Sequence, residues 1–375
     1  MKHRCSSTSF PLALTLVLAA CQANPVATSQ AAEAAPATSN ALLAKPVAAD
    51  GWDVAIALDL GATGVWTTKV LDVFDCYGGN EVVALDDLGR CHVIVQYAGK
   101  WTDLVACSDG RWLGGLALGD LDPRKPGREL YVGAESGRVY QITPQPEGML
   151  DCNLIADLAG AEVHTLIACE GELVAFTSPG SIWRLAAPKD RTRFVAREIA
   201  TTRGRVRDAV QLADGRLALV SRDGSLEIRP VDVLGNAGEL VLQVESGLGR
   251  VALSPAGVLY SASDDGVVWR SERTAQGWRN ERIHVGPQGL RGIVCGSFGT
   301  PGASEEVAIF GYSADVEVLA RDASAKWSAH TLFTDRDRGH WLGVGELDQR
   351  NDTDELVGSG YGGRVFVLTK RARQP

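Results

Sequence analysis

The stretch LGDLDPRKPGRELYVGAESGRVYQIT, Leu118 to Thr143, returns as VGELDQRNDTDELVGSGYGGRVFVLT, Val344 to Thr369. Both copies read as an acidic loop, a short apolar strand, a turn and a second apolar strand. The second strand, introduced by its turn residue, recurs well beyond these two places. It appears as GRCHVIVQY at Gly89, GRVYQIT at Gly137, GSIWRLA at Gly180, GSLEIRP at Gly224, GVVWRSE at Gly266, ADVEVLA at Ala314 and GRVFVLT at Gly363. The intervals are 48, 43, 44, 42, 48 and 49 residues. A repeat of this length, rich in β-branched and aromatic residues, is the signature of propeller blades and not of unrelated domains.

Each copy is preceded by another apolar strand, as in ELYVGAE from Glu129 and EVAIFGY from Glu306. The link between the two is acidic or contains Gly, which is hairpin chemistry. A further strand follows, often opened by an aromatic residue: KWTDLVAC at Lys100, GWRNERIHV at Gly277, KWSAHTLFT at Lys326. The last unit reaches Pro375 without one, and a strand of the same character, GWDVAIALDL, stands at Gly51–Leu60 instead. The expectation is an all-β chain: one seven-bladed β-propeller of four-stranded blades over residues 51–375, closed by the N-terminal strand. Closure removes the free edges that an open sheet of this size would present.

The residues ahead of the propeller read as an address. Lys2 and Arg4 precede the apolar run Phe10–Ala20, which is too short for a permanent membrane span. Residues 1–20 are expected to be a signal peptide. The boundary LAAC, Leu18 to Cys21, resembles the lipobox of bacterial lipoproteins, which implies lipidation at Cys21, a lasting membrane anchor and a place in the cell envelope. In that family an Asp after the cysteine favours the inner membrane; Gln22 stands here, so the resemblance implies the outer membrane. Residues 21–50, rich in Ala, Pro, Ser and Thr, carry no apolar periodicity and are expected to be a disordered tether. Its coil length places the propeller on the order of 30 Å from the lipid.

Without Lys2 and Arg4 the chain carries 35 basic and 46 acidic side chains, a formal balance of −11. That excess argues against nucleic acid as a partner. A monomer is expected.

The acidic loops resemble those of FG-GAP and VCBS propeller repeats, which read D-x-D/N-x-D-G-x-x-D/E before an apolar strand and hold calcium. The oxygens would come from Asp120 and Asp122 in one copy and from Glu346 and Asp348 in the other, but Arg124 and Arg350 occupy the position of the third acid. Calcium takes six to eight oxygens, and an arginine both withholds one and repels the ion. A turn whose carboxylates cap backbone N–H groups explains the same acids without metal. No cofactor is expected.

Cys91 and Cys107 flank a hairpin centred on Gly99, which places them opposite each other as a disulfide pair or as two buried thiols. Cys76, Cys152, Cys169 and Cys295 show no metal-ligand spacing. No G-x-S-x-G elbow is present, and no Gly-rich loop leads into a helix.

Aligning the innermost strands on their GDLD-type ends puts Arg205, Arg291 and His340 at equivalent positions near the strand entries, with His164 close by. In a propeller these entries surround one mouth of the central channel. On an acidic protein such a ring is a cationic funnel for a carboxylate, a phosphate or an acidic sugar. Trp66, Trp112 and Trp341 lie near the same entries and would stack on a ring or sugar face. The competing reading pairs the arginines with loop acids and packs the tryptophans between blades.

Two functions follow. One is a binding or scaffold module for a protein or glycan partner, which needs no catalytic group. The other is a polysaccharide-acting enzyme at the propeller mouth, because GDLDP at Gly119 and HWLGVGELD at His340 resemble stretches of rhamnogalacturonan-type propeller lyases, which rely on calcium. The repeated Trp-docking sequence of quinoprotein dehydrogenases is missing. Propellers host all three activities.

Overall fold

The repeated glycine of the sequence answers a conformational demand. Gly89, Gly137, Gly224, Gly266 and Gly363 all hold positive φ, between 67° and 89°. At Gly224 a Cβ would stand 2.2 Å from the Val244 carbonyl oxygen, so a side chain is excluded by space as well as by φ. Ala314 takes the same turn at φ 66°, the one copy in which the sequence lacks Gly and still bends the same way.

The computed structural model describes residues 47–74, 79–125, 127–145, 148–187, 189–190, 193–347 and 351–371. The expected signal peptide, Cys21 and the tether up to residue 46 lie outside them, as do Cys76, Asp348 and Arg350. Blade 1 runs from an innermost strand Val65–Leu71 through Glu81–Asp86 and Arg90–Tyr97 to an outermost strand Lys100–Ser108. Four-stranded antiparallel sheets follow as blade 2 from Leu113, blade 3 from Val163, blade 4 from Val206 and blade 5 from Leu248. Blade 6 begins at Leu290 and blade 7 at Gly339. Every innermost strand packs against the next, and blade 7 returns to blade 1.

Closure is as the sequence predicts. Trp52–Asp59 pairs antiparallel with Arg364–Lys370 and becomes the outermost strand of blade 7. The propeller also takes in residues ahead of Gly51: Val47–Ala48 pairs with Phe333 and Thr334 as a fifth strand on blade 6, so the boundary at residue 50 moves back to 47.

The core is divided among the seven blade interfaces. The second strands are buried on both faces, as in Glu129–Ala134, which is why they read as continuous apolar runs instead of alternating ones. Between blades 6 and 7, Phe366 packs 5.5 Å from Phe310 and 4.6 Å from Phe333, ring centre to ring centre. Gly358 faces that ring: a Cβ there would lie 2.0 Å from Phe366. With the apolar side chains spent between blades, the channel is left for polar ones.

Candidate functional site

All seven innermost strands begin with the same irregularity. Their register against the second strand slips once, between Val65 and Thr67 in blade 1 and at the matching place in every other blade. The extra residue is, in blade order, Trp66, Gly114, His164, Arg207, Gly249, Arg291 and His340. A bulge turns its residue out of the ladder, and all seven line one cavity of about 360 Å³. Two residues upstream is an entry ring that includes Trp112, Glu162, Arg205 and Arg338. Its carbonyls accept the N–H of the residue that follows each second strand, as Glu135 donates to Trp112 and Tyr361 to Arg338. One residue beyond the bulge are Thr67, Asp208, Arg250 and Trp341 in their blades.

His164, Arg205, Arg291 and His340 are thus brought to one cavity, together with Trp66, Trp112 and Trp341. The equivalence that grouped them needs correction. Arg291, His340 and His164 are bulge residues, whereas Arg205 belongs to the entry ring and Arg207 is the true counterpart of Arg291. Sequence reasoning missed Arg207, Arg250, Tyr312 and Tyr361. The signal that finds them is the fully buried residue ahead of each bulge, such as Val206, Leu248 or Leu290. Aligned on that residue, the arginines fall into register.

Four guanidinium groups and one carboxylate, Asp87, line the cavity. Asp87 is already committed, accepting from the Trp66 indole and from the Gly64 N–H. Asp264, at the rim, accepts from Arg207 at 2.8 Å and from Arg291. Arg250, only 8% exposed, has no carboxylate within ion-pair distance. It donates to the Gly249 carbonyl at 2.7 Å, lies 4.1 Å over the Trp341 ring, and buries an Nε without a partner. Burial holds its pKa down to about 10. Arg205 likewise buries an unpartnered Nε and donates only to the His164 ring at 3.3 Å.

Both imidazoles are kept neutral. Burial, then the charge of Arg205, pushes His164 down to about 3. Burial and Arg250 do the same to His340, whose Nδ1–H donates to the Trp66 carbonyl at 2.9 Å, leaving Nε2 as an acceptor. Beside His340, Tyr312 and Tyr361 share a hydroxyl hydrogen bond of 2.9 Å, and Arg338 lies 4.2 Å over Tyr361. Beneath Arg250 a second cavity of about 220 Å³ holds Lys69 and Asp208.

The acids of the two quoted loops are engaged elsewhere. Asp122 forms a two-point pair with Arg124, at 2.6 and 2.7 Å, which holds its carboxyl at about 2. In four blades an acid at the start of the second strand caps its own loop: Glu81 accepts the Val73 N–H, Glu129 that of Leu121, Glu306 that of Phe298 and Glu355 that of Leu347. Asp120 is exposed and Glu346 half-buried. Among the described residues no three His, Cys, Asp or Glu side chains converge as metal ligands. Cys91 and Cys107 do stand opposite each other, with both thiols free.

No family model matches the chain, and no curated protein matches its sequence. Solved structures match its fold. A streptogramin B lyase is 10% identical with a TM-score of 0.63, over 85% of this chain and 98% of that one. YCF48 bound to D1 peptide is 12% identical, TM-score 0.59, over 87% and 98%. The WD40 β-propeller domain of Doa1 is 12% identical, TM-score 0.57, over 85% and 97%. At these identities the likeness is one of fold.

Proposed function

We propose that this protein is a binding module of the cell envelope, lipid-anchored through Cys21 at the outer membrane, whose channel mouth takes an acidic group presented by a partner. One observation carries the reading: Arg250 is buried and Arg205 half-buried with no carboxylate in hydrogen-bond or ion-pair contact, only the more distant charges of Asp208 and Glu162, and a desolvated, under-paired charge is costly unless a further counter-charge arrives. The aromatic wall of Trp66, Trp112, Tyr312 and Tyr361 supplies flat surface beside the charge. A cavity of about 360 Å³ is at the scale of a sugar ring or one or two side chains and not of a folded surface.

A protein partner is favoured over a glycan. YCF48, a propeller of the same fold, was solved with a peptide bound. Binding fits better than lyase-like catalysis, since a general base works best with a pKa near the working pH and His164 is held at about 3. The FG-GAP and VCBS likeness of Leu118–Thr143 bears on ancestry of the repeat and adds no ligand to this mouth.

Calorimetric titration with an Asp/Glu-rich peptide and, separately, with an oligogalacturonate tests the reading. Saturable binding that weakens with salt and is lost in Arg250→Ala supports it, and the better ligand identifies the partner class. Equal affinity of wild type and Arg250→Ala for both would overturn it.

A further inference from the structure

The channel does not end at the mouth. Below Arg250 and Trp341, which line both cavities, the second one, of about 220 Å³, runs on to Leu71 and Val344 near the far ends of their strands. Its wall is mostly apolar, with Leu71, Val251, Ile293 and Val344 among the residues that form it. Two opposite charges stand in that wall, on blades 1 and 4, as far apart as a ring of seven allows. Lys69 donates to the Leu116 carbonyl at 2.9 Å, whereas Asp208 accepts the Ala209 N–H at 3.0 Å and the Val251 N–H at 3.1 Å. Both are half-buried, and among the described residues neither forms an ion pair.

With Arg250 the chamber holds two cations and one carboxylate, an excess of one positive charge. Asp208 does not settle it, because backbone N–H groups of blades 4 and 5 hold its carboxylate out of ion-pair contact with either cation. The Lys69 ammonium has three donors and gives one to a neutral carbonyl, and the buried Nε of Arg250 has no partner. Burial pulls Lys69 below its ordinary pKa and lifts Asp208 above its own, as happens to charges short of partners. A carboxylate brought beside Lys69 would reverse the first of these shifts.

We propose that this lower chamber is a second binding site, for a small aliphatic monocarboxylate whose charged end lies between Lys69 and Arg250 and whose hydrocarbon body covers the apolar wall. One negative charge cancels the excess, which a zwitterion would leave in place. An inorganic anion would leave the apolar wall in water. At about 220 Å³ the chamber falls below the roughly 300 Å³ of a site for a drug-sized molecule, so the body is short. The site does not rest on the reading of the mouth, since Lys69 lines the lower cavity alone.

Calorimetric titration of the intact protein with isovalerate, leucine and isoamyl alcohol, which share one branched body and differ in charge, tests the assignment. Isovalerate should bind saturably, and the other two about tenfold more weakly or worse. Lys69→Gln, whose amide can still donate to the Leu116 carbonyl, should weaken isovalerate about 30-fold and leave an Asp/Glu-rich peptide unaffected. The comparison of the three compounds on wild type stands even if that variant does not fold. A peptide that fails to bind wild type counts against the mouth alone. The proposal is overturned if isovalerate does not bind wild type, or if leucine or the alcohol binds as tightly. Loss of isovalerate in Arg205→Ala with retention in Lys69→Gln would put the carboxylate at the mouth and overturn it too.

Discussion

Two clusters of arginine in this propeller have opposite bookkeeping. Between blades 5 and 6, Glu305 accepts from Arg270 at 2.9 and 3.0 Å, from Arg321 at 2.6 Å and from the Tyr260 hydroxyl. Burial alone would push that carboxyl up, but these donors outweigh it and hold it at about 2. At the channel mouth, buried Arg250 and half-buried Arg205 have no carboxylate in ion-pair contact, and feel only the more distant charges of Asp208 and Glu162. A saturated cluster is finished by folding, whereas an unsaturated one is finished only by something that comes from outside. The contrast separates structural charge from charge kept for a ligand, a distinction that the number of arginines does not make.

The largest expected effect is on binding. Replacing Arg205 and Arg250 together by Ala should weaken an acidic ligand by about 1,000-fold, since each truncation of a desolvated charge contact costs about 2 kcal/mol or more. Titration calorimetry reads this directly, and a loss below tenfold would place the ligand elsewhere.

Next is the flank. Arg270→Met strands Glu305 beside a half-paired Arg321 and should cost about 3 kcal/mol in denaturant unfolding. A near-neutral result would erase the contrast between the two regions.

Acid sharpens it further. A carboxyl whose folded pKa is depressed contributes stability that is complete above its ordinary pKa, about 4.3, and is lost as pH falls toward the folded value. Glu305 and Asp122, both held at about 2, should therefore make stability fall between about pH 4.5 and 2. Arg270→Met should fall less steeply across that window, because its Glu305 is less depressed. An identical slope would remove Arg270 as the cause.

The blades were legible because their signals are local. A turn glycine at positive φ followed by a continuous apolar strand has one physical reading, and it repeats in five of the seven blades, with Ala314 taking the same turn in a sixth and Gly180 holding no positive φ in the seventh. The closing strand Trp52–Asp59 was legible because its counterpart was missing at the other end. The mouth was only half legible. A bulge adds one residue to each innermost strand, which breaks the period of two, so an alignment from strand ends slips and puts Arg205 where Arg207 belongs. Arg250 was missed for the same reason: its face is set by the bulge at Gly249 and not by alternation from Val251. Val47–Ala48 was missed because a two-residue strand carries no periodicity.

The most direct test is the unfolding free energy of Arg250→Met, measured without ligand and compared with wild type. Met keeps the packing on Trp341 and removes a buried charge that makes no ion-pair contact, while Asp208, the acid that acts on it from a distance, keeps the charge of Lys69, so stability should rise by about 1 kcal/mol. A loss of the size expected for Arg270→Met would show that Arg250 is already compensated within the fold, and the mouth would then have no charge to offer an incoming acid.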